Sequence, residues 1–411
     1  MLYDIAVIGG GAAGLTAAIY AKKQQPQLNI AVFEALDRVG KKLITTGNGR
    51  CNITNRYADV SRYHGGVVNL FEKTFSEYSV DKVVAFFGEI GIDVVFEDDG
   101  RAYPRSYQAS SVVDALRFAA LENGVEIICN CKIADIEKGK VFTLKTNSAT
   151  YNAKTVIAAT GLLSGGKSVG SCGSFYELLK SKGVKGEKLT PAIVQIKTSN
   201  DITKQLKGIK LNADVSLLLD GKRARKEFGE VLFTDYGLSG PPILQVSRAV
   251  ERENGDKKIS LDLLPEYNFG GLCDILCERR KNLSKRTNDN FLTGFINKRV
   301  GQVILKLCNI KLTDAVSNLL DSDIKNIANI LKKFEFKAVG TTGFANSQVT
   351  AGGISVSELY DNLECKKIKG LFLAGEVVDI DGDCGGFNLQ WAWCSGMLAA
   401  DSATKLLRDQ I

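Results

Sequence analysis

Residues 5–14 of the chain read Ile5-Ala6-Val7-Ile8-Gly9-Gly10-Gly11-Ala12-Ala13-Gly14. The apolar run predicts a buried strand and the alanine-rich stretch predicts a helix, and the turn between them has the spacing G-x-G-x-x-G. In such a turn Gly9 allows the tight bend, Gly11 lets the backbone approach a pyrophosphate, and Gly14 lets the helix pack closely on the strand. Because the N–H groups at a helix N-terminus bind phosphate, the turn predicts a dinucleotide-binding unit.

An acidic residue follows these glycines at the distance that such a unit requires. A second apolar run, residues 30–33, ends on Glu34, which lies twenty positions after Gly14. A carboxylate there accepts hydrogen bonds from both hydroxyls of an adenosine ribose. The predicted contacts on the adenosine side are therefore Gly9, Gly11, Ala12, Ala13, Gly14, Glu34 and Ala35.

Composition limits the class of protein. A length of 411 residues is enough for two or three domains, and 45% hydrophobic with 24% charged residues is ordinary for a globular protein. The sequence has no apolar stretch of membrane-spanning length and no signal-peptide pattern at its start, so a cytoplasmic protein without a membrane segment is expected. Ten irregularly spaced cysteines indicate reduced thiols, and a single histidine argues against a His-containing metal site, so no metal is predicted.

The net charge of the chain is modestly positive, at +7. Basic residues cluster at 222–226 and at 279–286, but no aromatic residues interleave with them as nucleic-acid stacking platforms would. These clusters indicate a solvated surface. They favour a small-molecule substrate over a nucleic-acid partner, with RNA as the lesser alternative.

The pattern of strands and glycines occurs at both ends of the chain and is interrupted between them. Residues 1–190 and 340–411 contain apolar, strand-like runs that end in glycine. Alternating apolar and polar residues predict antiparallel strands at 191–265, and helical periodicity with many charges predicts a helical subdomain at 266–339. The predicted fold is α/β, with a Rossmann-like domain assembled from both chain ends and a β-rich plus helical insertion.

The C-terminal part of the chain distinguishes between NAD and FAD. Residues 371–379 read as a buried strand that delivers a glycine and then acids at its carboxyl end, where ligands bind in open parallel sheets. Two further glycines, Gly385 and Gly386, precede a predicted helix whose N-terminus could hold a ligand atom that gains negative charge. A second site so far along the chain suits FAD, because FAD is long and carries its flavin at the end opposite the adenine.

Four segments of the chain resemble a known family. They are residues 40–55, 229–241, 349–354 and 375–393, and the resemblance extends over nearly the whole chain. The sequence is similar to the BaiN/YhiN-like NAD(P)- and FAD-dependent oxidoreductases, two-dinucleotide-fold flavoproteins with a glutathione-reductase-like FAD domain. That family includes bile-acid enone reductases and aminoacetone oxidases, so the resemblance implies an FAD-dependent oxidoreductase.

The resemblance also implies which residues contact FAD. The glycine turn and Glu34 would bind its ADP half, and Cys131 would present backbone groups to the adenine, with Thr160 and Gly161 nearby. The other residues would contact the pyrophosphate, the ribityl chain and the flavin ring: Lys42, Gly47, Asn48, Arg50, Cys51, Asn52, Gly375, Glu376, Asp379, Gly386, Asn388 and Leu389. Residues of about 190–340 would form a substrate-side domain that caps the flavin.

Four side chains are of a type that could take part in catalysis. Arg50 is placed to stabilise an anionic reduced flavin or a substrate carboxylate, with a structural clamp on its own loop as the equal alternative. Asp235 and Tyr236 are candidate proton-transfer groups, although relatives commonly have histidine where Asp235 stands. The single histidine, His64, is interpreted as a surface or loop residue rather than a catalytic one.

The preferred reaction follows from the resemblance. A hydride would pass from NADH or NADPH through flavin N5 to the activated C=C bond of a 3-oxo-Δ4 or Δ4,6 steroid or bile-acid enone. Because the sequence has no second strand–G-x-G-x-x-G–helix unit, NAD(P)H would bind only transiently. The alternatives are an aminoacetone-type amine oxidase that uses O2 and, in another class, a flavin-containing RNA-modifying or RNA-binding protein. Nothing in the sequence indicates an oligomeric state.

Overall fold

The computed structural model describes residues 2–66, 68–199 and 201–409. The chain divides into two units, the first formed by Met1–Pro191 with Phe344–Ile411 and the second by Ala192–Gly343. The chain thus leaves the first unit once and returns to it. The junctions follow residues 191 and 343, where the sequence pattern predicts 190 and 339.

The elements are numbered in chain order. Up to residue 192 they are β1 (Leu2–Ile8), α1 (Ala12–Gln24), β2 (Ile30–Phe33), α2 (Lys41–Thr45), β3 (Thr54–Asn55), β4 (Tyr63–Gly65), α3 (Val68–Glu77), α4 (Val80–Glu89), β5 (Val94–Phe96), β6 (Arg101–Pro104), α5 (Ala109–Glu122), β7 (Glu126–Ile128), β8 (Asp135–Lys138), β9 (Phe142–Lys145), β10 (Thr150–Ala158), α6 (Ser174–Ser181) and β11 (Thr190–Ala192). The second unit continues with β12 (Ile196–Thr198), α7 (Ile202–Gln205), β13 (Lys210–Leu219), β14 (Lys222–Phe233), β15 (Gly237–Ser239), α8 (Pro241–Val246), α9 (Arg248–Arg252), β16 (Lys257–Asp262), α10 (Phe269–Asn282), α11 (Lys298–Leu307), α12 (Asp321–Lys332) and β17 (Phe334–Thr341). The returning chain adds β18 (Val349–Ala351), β19 (Leu371–Leu373), β20 (Ile380–Gly382) and α13 (Phe387–Arg408). Within the described parts of the chain, none of these helices is long and apolar enough to cross a membrane.

The first unit is built on a mostly parallel sheet with the strand order β7-β2-β1-β10-β9-β8, in which β19 also pairs with β10. β7, β2, β1, β10 and β19 run parallel, whereas β9 is antiparallel to both β10 and β8. All of β2 and the last four residues of β1 are buried, as expected for parallel strands that are covered on both faces. The predicted α/β Rossmann-like fold is confirmed, and the carboxyl ends of these strands form the edge where ligands bind in such sheets.

Helices α1 and α13 pack closely on each other in the same unit. A Cβ at Gly396 of α13 would lie 2.6 Å from a carbonyl oxygen of α1, so glycine permits this close approach. α13 also carries two buried indoles that donate to distant backbone carbonyls, Trp391 to Gly375 at 3.1 Å and Trp393 to Ile53 at 2.8 Å. The C-terminal helix therefore fixes two of the segments for which cofactor contacts are predicted.

The second unit is a closed barrel of six strands in the order β12-β15-β14-β13-β16-β17. β13 and β14 form a long hairpin, and its two turn residues, Asp220 and Gly221, both have positive φ, as a type I′ turn requires. Helices α10, α11 and α12 lie in the chain between β16 and β17. The helical subdomain predicted at 266–339 therefore extends too far. Residues 334–339 alternate between buried and exposed because they belong to β17, which closes the barrel against β12 and β16.

Candidate active site

The glycine turn after β1 leaves room for a pyrophosphate. A Cβ at Gly14 would overlap the Gly9 carbonyl oxygen, and a Cβ at Gly9 would lie 2.5 Å from the Ala159 carbonyl oxygen, so the protein itself requires glycine at both positions. At Gly11, in contrast, no atom of the described residues, apart from its own chain neighbours, lies within 4 Å of where a Cβ would stand. No side chain caps α1 at this end, and the N–H groups of residues 12–13 have no partner within the helix. The open space and these donors fit an anion.

Glu34 lies beside this turn, at the end of β2. Its carboxylate accepts hydrogen bonds from the Gly10 N–H at 2.9 Å and from the Leu36 N–H at 2.8 Å, so the backbone fixes its position. The Glu34 carbonyl accepts from the Cys131 N–H at 2.8 Å, and Ala35 is exposed next to it. The structure thus brings together the residues that the sequence predicts for the ADP half of a dinucleotide.

A largely buried polar network connects the N-terminal and C-terminal parts of this unit. Lys42 Nζ contacts both the Glu376 carboxylate and the Ser164 hydroxyl, and Ser164 donates to Glu376 at 2.6 Å. The same carboxylate accepts from the Thr350 N–H at 2.7 Å, and Thr350 Oγ1 accepts from the Leu163 N–H at 3.1 Å. Lys42 and Glu376 are predicted from the sequence as cofactor contacts. Their partners Ser164 and Thr350 are not, because no local spacing links these four positions.

Thr160, Gly161 and Gly375 lie at the edge of the same sheet, after β10 and β19. Gly161 has a φ of 61°, and a Cβ there would be 3.5 Å from the Glu376 carboxylate. The Gly375 N–H donates to the buried Ser395 hydroxyl at 2.9 Å. Glycines and the Glu376 network therefore occupy the edge at which the parallel strands end.

The loop of residues 46–52 has a backbone shape that most side chains avoid. Gly47, Asn48 and Cys51 have φ of 57°, 55° and 57°; Asn48 is exposed, whereas Cys51 is fully buried. The Cys51 N–H donates to the Thr46 carbonyl at 3.0 Å, which closes the loop. Burial raises the pKa of the Cys51 thiol to about 12, so this cysteine packs against its neighbours and is not a reactive thiolate.

This loop ends against the start of α13. With its carboxamide oriented to satisfy both polar groups, Asn52 donates to the Thr54 carbonyl at 2.9 Å and accepts from the Gly386 N–H at 3.1 Å. A Cβ at Gly386 would overlap the Thr54 carbonyl oxygen. Asn388 donates to and accepts from the backbone of β20 at 2.8 Å, and Leu389 is half-buried beside it. Three of the predicted cofactor contacts, Gly386, Asn388 and Leu389, therefore lie together at the N-terminus of this helix.

Arg50 lies partly exposed on the same loop. Its guanidinium is 4.6 Å from the centre of the Tyr103 ring and 3.8 Å from the Glu97 carboxylate, and its Nε is 3.5 Å from the Gly47 carbonyl oxygen. Burial raises the pKa of the Tyr103 phenol, although the charge of Arg50 opposes this shift. Arg50 therefore clamps its own loop, one of the two predicted roles. Its side chain remains 43% exposed and can also face a ligand.

The other two candidate catalytic residues, Asp235 and Tyr236, lie in the second unit, between β14 and β15. The Asp235 carboxylate is 2.7 Å from Lys207 Nζ, and this hydrogen bond holds the pKa of Asp235 below its usual range. A lowered pKa favours the ionised carboxylate, and the role of Asp235 in proton transfer stays a prediction. Tyr236 is 38% exposed, and its role stays a prediction.

The segment that joins β19 to β20 contains further polar residues. Asp379 is buried; its N–H donates to the Ile354 carbonyl at 2.9 Å, and its carbonyl accepts from the Gly66 N–H at 3.0 Å. Just after β20, the Asp383 carboxylate is 3.0 Å from Nε2 of His64. His64 lies in β4 rather than in a loop, and its pairing with Asp383 cannot be predicted from a local pattern because the two residues are 319 positions apart.

Comparison with known proteins identifies the family. A family model described as "HI0933-like protein Rossmann domain" matches residues 3–402. The chain belongs to this HI0933-like family. A 3-dehydro-bile acid delta(4,6)-reductase of Clostridium scindens is 33% identical to it over 98% of this chain and 99% of its own length. A ribosomal RNA dihydrouridine synthase of Haemophilus influenzae is 25% identical over 97% of this chain and 98% of its own length.

The HI0933-like protein also shares its fold with a solved steroid dehydrogenase. The 3-ketosteroid delta1-dehydrogenase from Sterolibacterium denitrificans, in complex with 1,4-androstadiene-3,17-dione, matches it with a TM-score of 0.53 and 14% identity, over 98% of this chain and 100% of that chain. The HI0933-like protein is an FAD-dependent oxidoreductase. The open turn at Gly11 leaves room for a pyrophosphate, and Asn52 contacts the N-terminus of α13 at Gly386.

Proposed function

We propose that this HI0933-like protein uses FAD and NAD(P)H to reduce a C=C bond conjugated to a carbonyl group, in a 3-oxo-Δ4 or Δ4,6 steroid or bile acid. The observation that carries the proposal is the 33% identity to the bile-acid delta(4,6)-reductase over 98% of this chain and 99% of that enzyme. Since both are matched over nearly their whole length, the similarity is not confined to the cofactor-binding part. Ten free thiols support a cytoplasmic location.

The residues of the first unit would hold the cofactor along its length. Gly11 and the N-terminus of α1 would receive the pyrophosphate, Glu34 the adenosine ribose, and Lys42 with Glu376 the middle of the molecule. The start of α13 at Gly386 would face the flavin ring. FAD bound in this way supplies hydride transfer to the substrate.

Arg50 would bind the acidic end of the substrate. Its guanidinium is stacked on Tyr103 but remains 43% exposed, so a carboxylate can reach it. A guanidinium binds a carboxylate through two parallel hydrogen bonds, which fixes orientation as well as adding affinity. This role favours a bile acid over a neutral steroid.

Anaerobic stopped-flow absorbance at the flavin band tests the proposal. We expect NADH or NADPH to bleach the yellow protein rapidly, a 3-oxo-Δ4,6 bile acid to restore the colour rapidly, and air to restore it only slowly. Bleaching by a small amine with fast recovery in air, and no response to NADH or NADPH, would instead establish an amine oxidase. A protein that does not bind FAD at all would overturn both readings.

Uridine in RNA is a second candidate substrate. The C5=C6 bond of uridine is conjugated to a carbonyl, so forming dihydrouridine, the product in the name of the Haemophilus influenzae relative, is a reduction of the same class. The charge distribution favours an RNA partner. Residues 192–343 contain 25 of the 53 basic and 18 of the 46 acidic residues, so the second unit carries the whole net charge of +7 and the first unit is neutral.

The turn of the β13–β14 hairpin is the candidate contact for RNA within the second unit. Lys222 and Arg223 are exposed there. Lys257 of β16 and Lys222 of β14 both pair with Leu219 of β13, from opposite sides, so the two lysines flank the same position of the barrel surface. Strands that flank a common neighbour lie about 10 Å apart, which lets both lysines contact one nucleic-acid backbone.

The second basic cluster is used inside the unit. Arg279 donates to the carbonyls of Phe291 and Thr293 at 2.9 and 3.0 Å, and Arg280 donates to the Leu319 carbonyl at 2.8 Å. These guanidiniums hold the loops between the helices through hydrogen bonds to backbone carbonyls. They are therefore less available to contact a phosphate. The hairpin is therefore the better place to test for RNA.

Alanine at both Lys222 and Arg223 is expected to weaken binding of a ribosomal RNA fragment about tenfold. Each lost phosphate contact should lower the slope of log affinity against log salt by about 0.7 to 0.9. Alanine at both Lys298 and Arg299, which are exposed on the same unit, removes the same charge elsewhere and is the matched control. Equal weakening by the two double variants, measured by filter binding across a salt series, would exclude a site at the hairpin.

A further inference from the structure

The only histidine of the chain, His64, lies next to a buried carboxylate in the first unit. Its Nε2 is 3.0 Å from Oδ1 of Asp383, whose side chain is 5% exposed, while the imidazole is 27% exposed. Arg62 lies 3.7 Å from the other oxygen of the same carboxylate. A carboxylate in this position fixes the orientation and tautomer of an imidazole, and it leaves Nδ1 as the nitrogen that exchanges a proton with its surroundings.

This pair is tied to the start of α13. The strand that carries His64, β4, pairs with β20. The Asp383 N–H donates to the Arg62 carbonyl at 2.8 Å, and the Tyr63 hydroxyl donates to the carbonyl of Phe387, the first residue of the helix, at 2.9 Å. His64 is therefore fixed beside the helix N-terminus that, under the proposed function, faces the flavin ring.

We propose that His64, positioned by Asp383, donates the proton in the reduction of the C=C bond. The inference rests on the proposed function and adds a residue to it. One carbon of the bond receives a hydride, whose two electrons come from NAD(P)H, and the neighbouring carbon receives a proton. The protonated imidazole gives up this proton from Nδ1 and, through its exposed edge, takes another from water.

The charged groups around His64 fit this role. Asp381 lies opposite His64 in the β4–β20 pair, and Asp379 and Asp383 precede and follow that strand; all three aspartates are buried. Arg62 is a cation next to Asp383. A positive charge on the imidazole is thus balanced by carboxylates.

NMR gives a test that does not depend on turnover. Because His64 is the only histidine, the whole protein shows one set of imidazole signals, and no assignment is needed. We expect FAD added to the apoprotein to shift these signals. We also expect Asp383→Asn to change the nitrogen chemical shifts of the ring toward the values of a mixture of the two tautomers. Ring signals that do not change when absorbance shows full FAD occupancy would place His64 away from the cofactor and overturn the proposal.

Half-reactions separate the role of His64 from the proposed function. In His64→Gln we expect NAD(P)H to bleach the flavin at the wild-type rate, O2 to restore the colour at the wild-type rate, and the enone to restore it about 100-fold more slowly. Glu89→Gln, at a surface ion pair with Lys23, is the matched control. Equal reoxidation by the enone in wild type and His64→Gln overturns the role of His64. A wild-type protein that no enone reoxidises overturns the proposed function instead.

Discussion

Alanine at Gly14 is expected to destabilise the FAD-binding unit strongly, whereas valine at Gly11 is expected to leave it stable but with much weaker binding of FAD. The Cβ added at Gly14 would overlap the Gly9 carbonyl oxygen, and both backbone segments are confined by the buried packing of β1 and α1. Overpacking of this kind lowers the free energy of unfolding by about 1 to 3 kcal/mol, and the close overlap at Gly14 favours the upper end of that range. At Gly11 the φ of −86° suits any residue, and the position of the Cβ is open.

The valine side chain at Gly11 would instead fill the space that the pyrophosphate needs. We expect the affinity for FAD to fall at least about 100-fold, which is about 2.7 kcal/mol, while the apoprotein melts within a few degrees of the wild type. Flavin fluorescence during titration of the apoprotein measures the first quantity, and circular dichroism on heating measures the second. Wild-type FAD affinity in Gly11→Val would exclude this turn as the pyrophosphate site. Wild-type stability in Gly14→Ala would show that the turn relaxes.

The N-terminal strand, turn and helix are predictable from the sequence because each of their requirements is local. The buried run in β1, the glycine spacing and the acid after β2 all lie within 34 residues, and the structure places Gly10 of this turn beside Glu34. The same holds for α13, whose first turn follows two glycines. Local patterns of this kind predict the α/β class and the two glycine turns that precede α1 and α13.

The partners within the site are not predictable in this way. Lys42 meets Glu376 across 334 positions, and His64 meets Asp383 across 319, so no window of sequence contains either pair. The composition of a basic cluster also does not show whether its side chains are bonded within the protein or exposed. Arg279 and Arg223 belong to similar basic clusters, yet Arg279 is bonded to backbone inside its unit whereas Arg223 is exposed. The partners of these side chains are set by tertiary contacts, which only the folded structure shows.

Leucine at Glu376 is expected to lower the free energy of unfolding of the first unit by about 3 kcal/mol. The substitution leaves the largely buried Lys42 ammonium without its carboxylate, and it removes the acceptor for the Ser164 hydroxyl and the Thr350 N–H. Methionine at Lys42 should cost less, because the carboxylate keeps its other two donors. In the double variant the unpaired cation is gone, so its cost should fall short of the sum of the single costs by about 1 to 3 kcal/mol.

Urea unfolding followed by tryptophan fluorescence measures this cycle on the correct unit, because both tryptophans of the chain, Trp391 and Trp393, lie in α13. Lys41→Met is the matched control: its partner Asp37 is 64% exposed, and loss of that surface ion pair should cost about 0.5 kcal/mol or less. Additive costs in the Lys42 and Glu376 cycle would show that the two charges do not stabilise each other. The network would then consist of contacts that stabilise the unit independently of one another. Any change in FAD affinity in either single variant would then be the effect of that residue alone.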